Sequence, residues 1–360
     1  MEHMENLSGI RQEYERDNRH KELLIILCAL AVVVMGCWFI TVGVADTTVS
    51  QVLKAIAAAV TGRLDAGTQA DNAANKIIVL MRLPRIVAAV LAGAGLSVSG
   101  VAMQGVTRNP LVSPFTIGIS NAAAFGASVF IVFSAGTLAG NQLGTVICAF
   151  LSAICCAALV YMVSKKVGMG PQTIVLVGIA LNYLFSAMTS AIEFFAQEHK
   201  LAAVVNWTFG TFNGITWNEV LVIFVFVFCC MLIMYRFCLA LDIMAGGEDE
   251  IVRSLGINPE RVRVITGVLS VLMTAAIISF TGVIGFVGLV APHIARILIG
   301  GRHRYLLPFS AVLGAALLLV ADTVGKTILS PVSIPVGIVV SFLGVPLFVH
   351  LILNKRGYAQ

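Results

Sequence analysis

The sequence predicts an all-α polytopic membrane protein with about ten transmembrane helices. Three observations carry that prediction. Of 360 residues, 59% are hydrophobic and only 11% are charged, whereas a soluble domain carries roughly 25% charged residues. The apolar residues gather into repeated runs of about 20, the length a helix needs to cross a bilayer. The basic residues sit in short blocks between those runs, so the net charge of +5 reads as a set of topology signals and not as a nucleic-acid footprint.

Residues 1–22 are polar and mixed in charge, and we assign them to a cytoplasmic N-terminal segment ahead of a single membrane domain, 23–354. Residues 23–44 form the first span. The run is longer than the 7–15 residues or so of a signal-peptide core, and no small-residue cleavage site follows. Residues 46–82 form the longest external segment and end at Met81-Arg82-Leu83-Pro84-Arg85. Pro84 fits the first turn of a helix, where its missing N–H costs little. The second span, 86–107, carries Gly93/Ser97 and Gly95/Ser99. Each pair is four residues apart and stacks on one helix face, letting a neighbouring helix approach closely. Arg108-Asn109-Pro110 breaks that helix. Spans three to six follow at 115–136, 143–163, 173–196 and 219–237, with Trp207 and Trp217 at interface depth.

Residues 242–263 are the one substantial charged loop of the second half. They read as two short helices. The first, 248–255, is acidic early and basic late, as the helix dipole favours, and Gly256 closes it. The second opens with Asn258 as cap, Pro259 at the first position and Glu260 in the first turn. Residues 264–295 then hold no charge apart from that available to His293. Arginines on both sides of this run require it to go out and come back. Gly282, Gly285 and Gly288 mark the reversal between two short spans, one of them irregular where protein surrounds it. Residues 306–324 and 335–353 complete ten spans, and 355–360 form a cytoplasmic tail. In this arrangement the side holding both termini carries 16 Lys and Arg and the opposite side 7, so both termini lie in the cytoplasm.

Residue types that carry chemistry are sparse. Gly325-Lys326-Thr327 lacks the earlier glycine of a phosphate loop, since Val320 holds that position, and it follows a helix rather than a strand. Gly93-Ala94-Gly95 lacks the third glycine of a dinucleotide loop, with Val98 in its place. The eight cysteines lie in or beside apolar runs and read as small hydrophobes within helices. No Ser/His/Asp set converges, which argues against a membrane-embedded enzyme. His293, beside Pro292, reads as a hydrogen-bonding residue at a helix end. Asp322 and Lys326 are four apart and can pair on one face. They mark either a path through the membrane or a wet external rim.

Taken in order, the motifs resemble those of the FecCD-type permeases, the membrane subunits of importers for iron-siderophores, haem and cobalamin. They are Met81-Arg-Leu-Pro-Arg85, Gln104 with Arg108-Asn-Pro-Leu111, Gly118-Ile-Ser120 and Arg253-Ser-Leu-Gly256. Then come Gly285-Phe-Val-Gly-Leu-Val290 with Pro292-His293 and Arg296, His303-Arg304 with Leu307-Pro308, Gly314-Ala315 with Ala321-Asp322, and Ile334-Pro-Val-Gly337. The resemblance runs from about residue 23 to the C-terminus.

It implies the type II permease architecture of an ABC importer in the bacterial cytoplasmic membrane. Two copies of the chain pair, and substrate passes along their interface by alternating access. Two ATPase subunits below would hold ATP and Mg, with no cofactor or metal bound by this chain, and an extracytoplasmic binding protein docks above. By the same resemblance, Arg82, Arg85 and Lys326 meet the binding protein. Gly247, Glu248, Asp249, Glu250, Arg253, Ser254, Leu255, Gly256, Pro259 and Glu260 contact the ATPase. Asn109, Pro110, Gly285, Gly288, Pro292, His293, Asp322, Pro335 and Gly337 belong to the translocation framework. The sequence departs from the family pattern at Lys326, where arginine is usual, at Val252 (alanine), at Arg302 (aspartate) and at Ser333 (glutamate). Gly247-Glu248 also falls one residue early. The alternative in another class is an ion-coupled secondary transporter, which needs a mid-membrane ion site at broken helices.

Overall fold

A computed structural model describes residues 2–43, 47–62, 68–134 and 142–354. The tail 355–360, residues 46 and 63–67 of the 46–82 segment, residue 44 of the first expected span and residues 135–136 of the third lie outside them. The described chain is helical throughout. α1 (Glu2–Thr41) is followed by the short α2 (Val49–Val60) and α3 (Gln69–Lys76), a π-helical turn (Ile77–Arg82) and α4 (Leu83–Thr107). A 3-10 turn (Pro114–Ile117) leads into α5 (Ile119–Phe133), α6 (Gln142–Val167), α7 (Pro171–Phe195), α8 (Glu198–Thr208) and α9 (Trp217–Tyr235). α10 (Cys238–Gly246), α11 (Asp249–Ser254), α12 (Pro259–Thr281), α13 (Val287–Ile299), α14 (His303–Thr327) and α15 (Val336–Asn354) complete the order. Seven helices are long and apolar enough to cross a bilayer. With the shorter apolar α5, α13 and α15 they account for the ten spans expected.

Four expectations about local structure change. The boundary at residue 22 is not a helix boundary, because α1 runs unbroken for 40 residues. A change from polar to apolar residues does not stop a helix, and Lys21 bonds Asp17 one turn away at 2.7 Å. Pro84 does stand in the first turn of α4, but the helical run does not start there, because it already passes through α3 and the π turn. There Leu83 N–H reaches Ile78 O, five residues back. In that register Pro84 fails to serve the Val79 carbonyl, and Trp217 Nε1 donates to it instead at 2.9 Å. The uncharged run 264–295 divides into a full-length α12 of 23 residues and a short α13 of 13. Gly282 (φ +72) and Phe286 (φ +64) form the reversal, whereas Gly288 lies inside α13. His293 is mid-helix and buried, with its ring edge-on to Phe348 at 5.5 Å. The chain continues as helix beyond Pro292 because that proline leaves one carbonyl, Gly288 O, without its helical donor. This carbonyl abuts Gly100, where a Cβ would come within 1.8 Å of it.

α4 is the axis of the subunit, buried along nearly its whole length. Its small residues serve two faces. Gly93 and Ser97 meet Gly314 of α14, where added Cβ atoms would lie 2.2 Å from Gly314 O and 1.9 Å from Ser97 Oγ. Gly95 takes Ile277 and Val227, and Ser99 Oγ donates to Ser270 O of α12 at 3.2 Å. Lipid tails offer no hydrophobic drive for helix pairing, so this close approach supplies the packing attraction that holds the spans together.

Candidate functional site

Two clusters of charged residues sit at opposite ends of α4. From Arg85 to Arg108 the helix rises about 34 Å at 1.5 Å per residue, enough to traverse a hydrocarbon core of about 30 Å. Each end therefore lies at a membrane face, and each holds one carboxylate between two bases.

At the first end, Arg85 Nε and Nη2 bond Asp322 at 2.8–3.1 Å, and Lys326 Nζ reaches the other carboxylate oxygen at 2.5 Å. Asp322 is only 3% exposed, while both bases are 16% exposed. The acid is thus the more deeply buried partner, and both bases line the neighbouring cavity. Arg85 Nη1 also donates to Asn213, and its Nη2 lies 3.5 Å from Ser333 Oγ. Arg82 bonds Ile40 O and Thr47 Oγ1, both at 2.7 Å, tying the π turn to the end of α1. Arg82, Arg85 and Lys326 share the rim of a cavity of about 670 Å³ whose walls include Phe39, Leu80 and Phe212. Of the two readings of Asp322, the geometry favours neither an open path nor a wet rim. It is a buried counter-ion that fixes its partners.

At the other end, Asp249 opens α11. Arg263 grips it with both terminal nitrogens, at 2.6 and 2.7 Å, and Arg108 Nη2 joins at 2.5 Å. The Arg263 side chain is fully buried, and it also bonds Val106 O and Met169 O. Arg108 caps α4 in the left-handed region (φ +51) and donates to Met244 O of α10 at 2.8 Å. Asp249 therefore pins α4, α10, α11 and α12 to one point. The bond from Arg263 is the main reason its carboxyl is held down at about 2 from the ordinary 3.8, with Arg108 adding to the effect and burial opposing it.

The remaining expected residues divide by exposure. Glu248, Glu250, Arg253, Ser254, Leu255, Gly256 and Glu260 face solvent, with Arg253 bonded to Glu260 at 3.0 Å. Gly247 links α10 to α11. Asn258 Oδ1 accepts from Arg261 N–H at 3.0 Å, and Pro259 holds the first helical position, as expected. The helix that Pro259 opens is not short, because it is the start of the span α12. The second short helix is instead α10, which precedes α11. Asn109 Oδ1 accepts from Leu111 N–H at 2.9 Å and shapes the turn through Pro110. Gly285 lies in the reversal between α12 and α13. Gly337 follows Pro335 and packs where a Cβ would meet Phe209 O and Val283 O.

Sequence reasoning missed Ile251, an exposed apolar residue four before Leu255 on the same face of α11. It also missed the roles of Arg108 and Arg263. A guanidinium one turn inside α12, next to the uncharged run 264–295, was the available signal for Arg263, since a buried charge requires a partner.

Among the described residues, seven helices long and apolar enough to cross a bilayer and four shorter apolar ones, with charged clusters at the two ends of one buried helix, define a polytopic membrane subunit. The chain belongs to the FecCD transport family, whose model matches residues 26–354. It is 34% identical over 336 residues to the Fe(3+)-citrate import system permease protein YfmD of Bacillus subtilis, covering 93% of this chain and 96% of that one. It is 33% identical over 338 residues to the molybdate import system permease protein MolB of Haemophilus influenzae, covering 93% of this chain and 95% of that one. A solved transporter in an inward-facing conformation, described provisionally as of the metal-chelate ABC type, superposes with a TM-score of 0.81 at 30% identity. That match covers 92% of this chain and 99% of the other. The fold is the ABC type II permease architecture, and the chain is an ABC permease subunit.

Proposed function

We propose that two copies of this chain form the translocation unit of an ATP-driven importer for an iron-siderophore or a related metal chelate. A binding protein delivers the chelate, and substrate passes along the interface of the pair by alternating access. Both termini and α11 face the cytoplasm. The observation that carries the reading is the division of labour between the ends of α4. One end presents cations at the rim of an open cavity. The other presents a short, exposed helix fixed from behind by a buried ion cluster. Outward cations suit an acidic partner surface, where such charges set the rate and register of docking. The exposed Ile251 and Leu255, flanked by Glu250 and Ser254, suit a protein surface that moves with ATP hydrolysis. The chain has no phosphate loop, so the ATPase and its Mg belong to a partner.

Two variants test the two surfaces. Reversing Arg82 and Arg85 together to Glu is expected to impair binding-protein docking and uptake while the chain still inserts and pairs. Normal uptake by that variant contradicts the docking assignment. Deleting residues 248–256 is expected to abolish co-purification of the ATPase, and retention of the ATPase contradicts the coupling assignment. The substrate is decided by uptake of labelled iron-siderophore, haem, cobalamin and molybdate in cells with and without the chain.

A further inference from the structure

The polar start of α1 is longer than any membrane requirement. The apolar part of the helix begins at Leu23, yet the helix begins at Glu2. At 1.5 Å per residue, residues 2–22 add about 31 Å of helix outside the bilayer. This arm also lies outside the residues that the family model matches, 26–354. A largely polar helix outside the bundle core either holds itself by pairs one turn apart, as Lys21 and Asp17 do, or bridges to another surface.

The arm is held in place. The Arg302 guanidinium lies 4.7 Å from the centre of the Tyr14 ring, and Lys21 Nζ lies 6.0 Å from that of Tyr305. Arg302 is itself a departure, since the family resemblance places aspartate there. The carboxylate is instead supplied by Asp242 of α10, which accepts from His303 N–H at 2.7 Å and contacts His303 Nδ1 at 2.6 Å. Arg302 is thereby released from capping and holds the arm. Two features outside the family pattern thus meet each other. A chain of contacts then leads from the arm to the coupling helix: Tyr14 to Arg302, His303 to Asp242, Met244 O to Arg108, and Arg108 to Asp249.

We infer that the N-terminal arm is a second docking surface for the cytoplasmic ATPase, linked to α11 through that chain of contacts. The inference rests on the proposed coupling role of α11. Its occupant is the ATPase rather than the lipid surface because the arm continues the apolar part of α1 as one unbroken helix, with no bend that would lay it along a bilayer. Its described residues 13–22 carry both signs of charge, Glu13, Glu15, Asp17 and Glu22 against Arg16, Arg19 and Lys21, which suits a polar protein partner better than an anionic bilayer.

The test uses the full permease in lipid nanodiscs with its own ATPase subunit. Deleting residues 2–12, and separately Tyr14→Ala and Arg302→Ala, is expected to weaken ATPase binding about three- to tenfold, the scale of one or two lost contacts. A photocrosslinking residue in place of Glu13 is expected to capture the ATPase. Crosslinks to lipid alone, or to the permease alone, overturn the inference, as does unchanged affinity in all three variants. Ile251→Asp in α11 separates the two ideas. If it weakens binding and the arm variants do not, only the arm inference fails. If neither does, the coupling assignment fails with it.

Discussion

The two ends of α4 use the same ingredients in opposite ways. At the cavity end the acid is buried and the bases reach out, so the carboxylate holds cations in position for something outside the chain. At the α11 end one base is fully buried and the acid is 30% exposed, so the cations hold an anion that anchors a helix. The first arrangement displays charge, while the second consumes it to fix geometry. That contrast explains why Arg85 and Lys326 read as contact residues. Asp249, which the resemblance places among the residues that touch the ATPase, also anchors α11 through Arg263 and Arg108.

The largest expected effect comes from breaking the inner cluster. Asp249→Ala strands Arg263, which has no exposed atoms to hydrate, and is expected to cost about 3–5 kcal/mol. The loss is measured as a large drop in the thermal unfolding midpoint in detergent. Replacing Asp249 and Arg263 together by apolar residues is expected to recover much of it, because no uncompensated charge remains. The outer cluster should be milder. Asp322→Asn leaves Arg85 and Lys326 beside water, and the expected cost is about 1–3 kcal/mol, the price of a lost buried partner. The clearer readout there is faster dissociation or altered salt dependence of the binding protein. Equal destabilisation at both ends would break the comparison.

Acid should distinguish the ends as well. The Asp249 carboxyl is depressed on folding, from 3.8 to about 2. Its contribution is therefore present above the unfolded value and lost as pH falls through the folded one. Part of the decline in unfolding midpoint between about pH 4 and pH 2 should disappear in Asp249→Asn, which leaves that component with no proton to gain. A wild-type and variant pair with parallel pH profiles would remove the inner clamp from the account. The smallest effect is expected at the π turn. Trp217→Phe leaves Val79 O without its indole donor and should cost about 1 kcal/mol, read as a small shift in midpoint with ATPase binding unchanged.

Much of the bundle was legible because bilayer thickness fixes span length. The reversal at Gly282–Phe286 and the Asn258-Pro259 cap were legible because both depend on local backbone chemistry. The charge clusters were not. Asp249 and Arg108 are 141 residues apart, and Arg85 and Asp322 are 237 apart. Hydropathy assigns each to a face but says nothing about which acid meets which base. The π turn was hidden for a related reason. Pro84 signals a missing donor, but its remedy is the Trp217 indole from another helix. The run-on of α1 was hidden because helix continuity does not follow polarity.

The most direct measurement of the central claim is uptake of a labelled iron chelate by vesicles containing this chain and its ATPase, with binding protein outside and ATP inside. The account predicts uptake that requires both, persists when ionophores collapse every ion gradient, and is lost in the Arg82/Arg85 double reversal. Uptake that proceeds without ATP and follows an imposed ion gradient would contradict it.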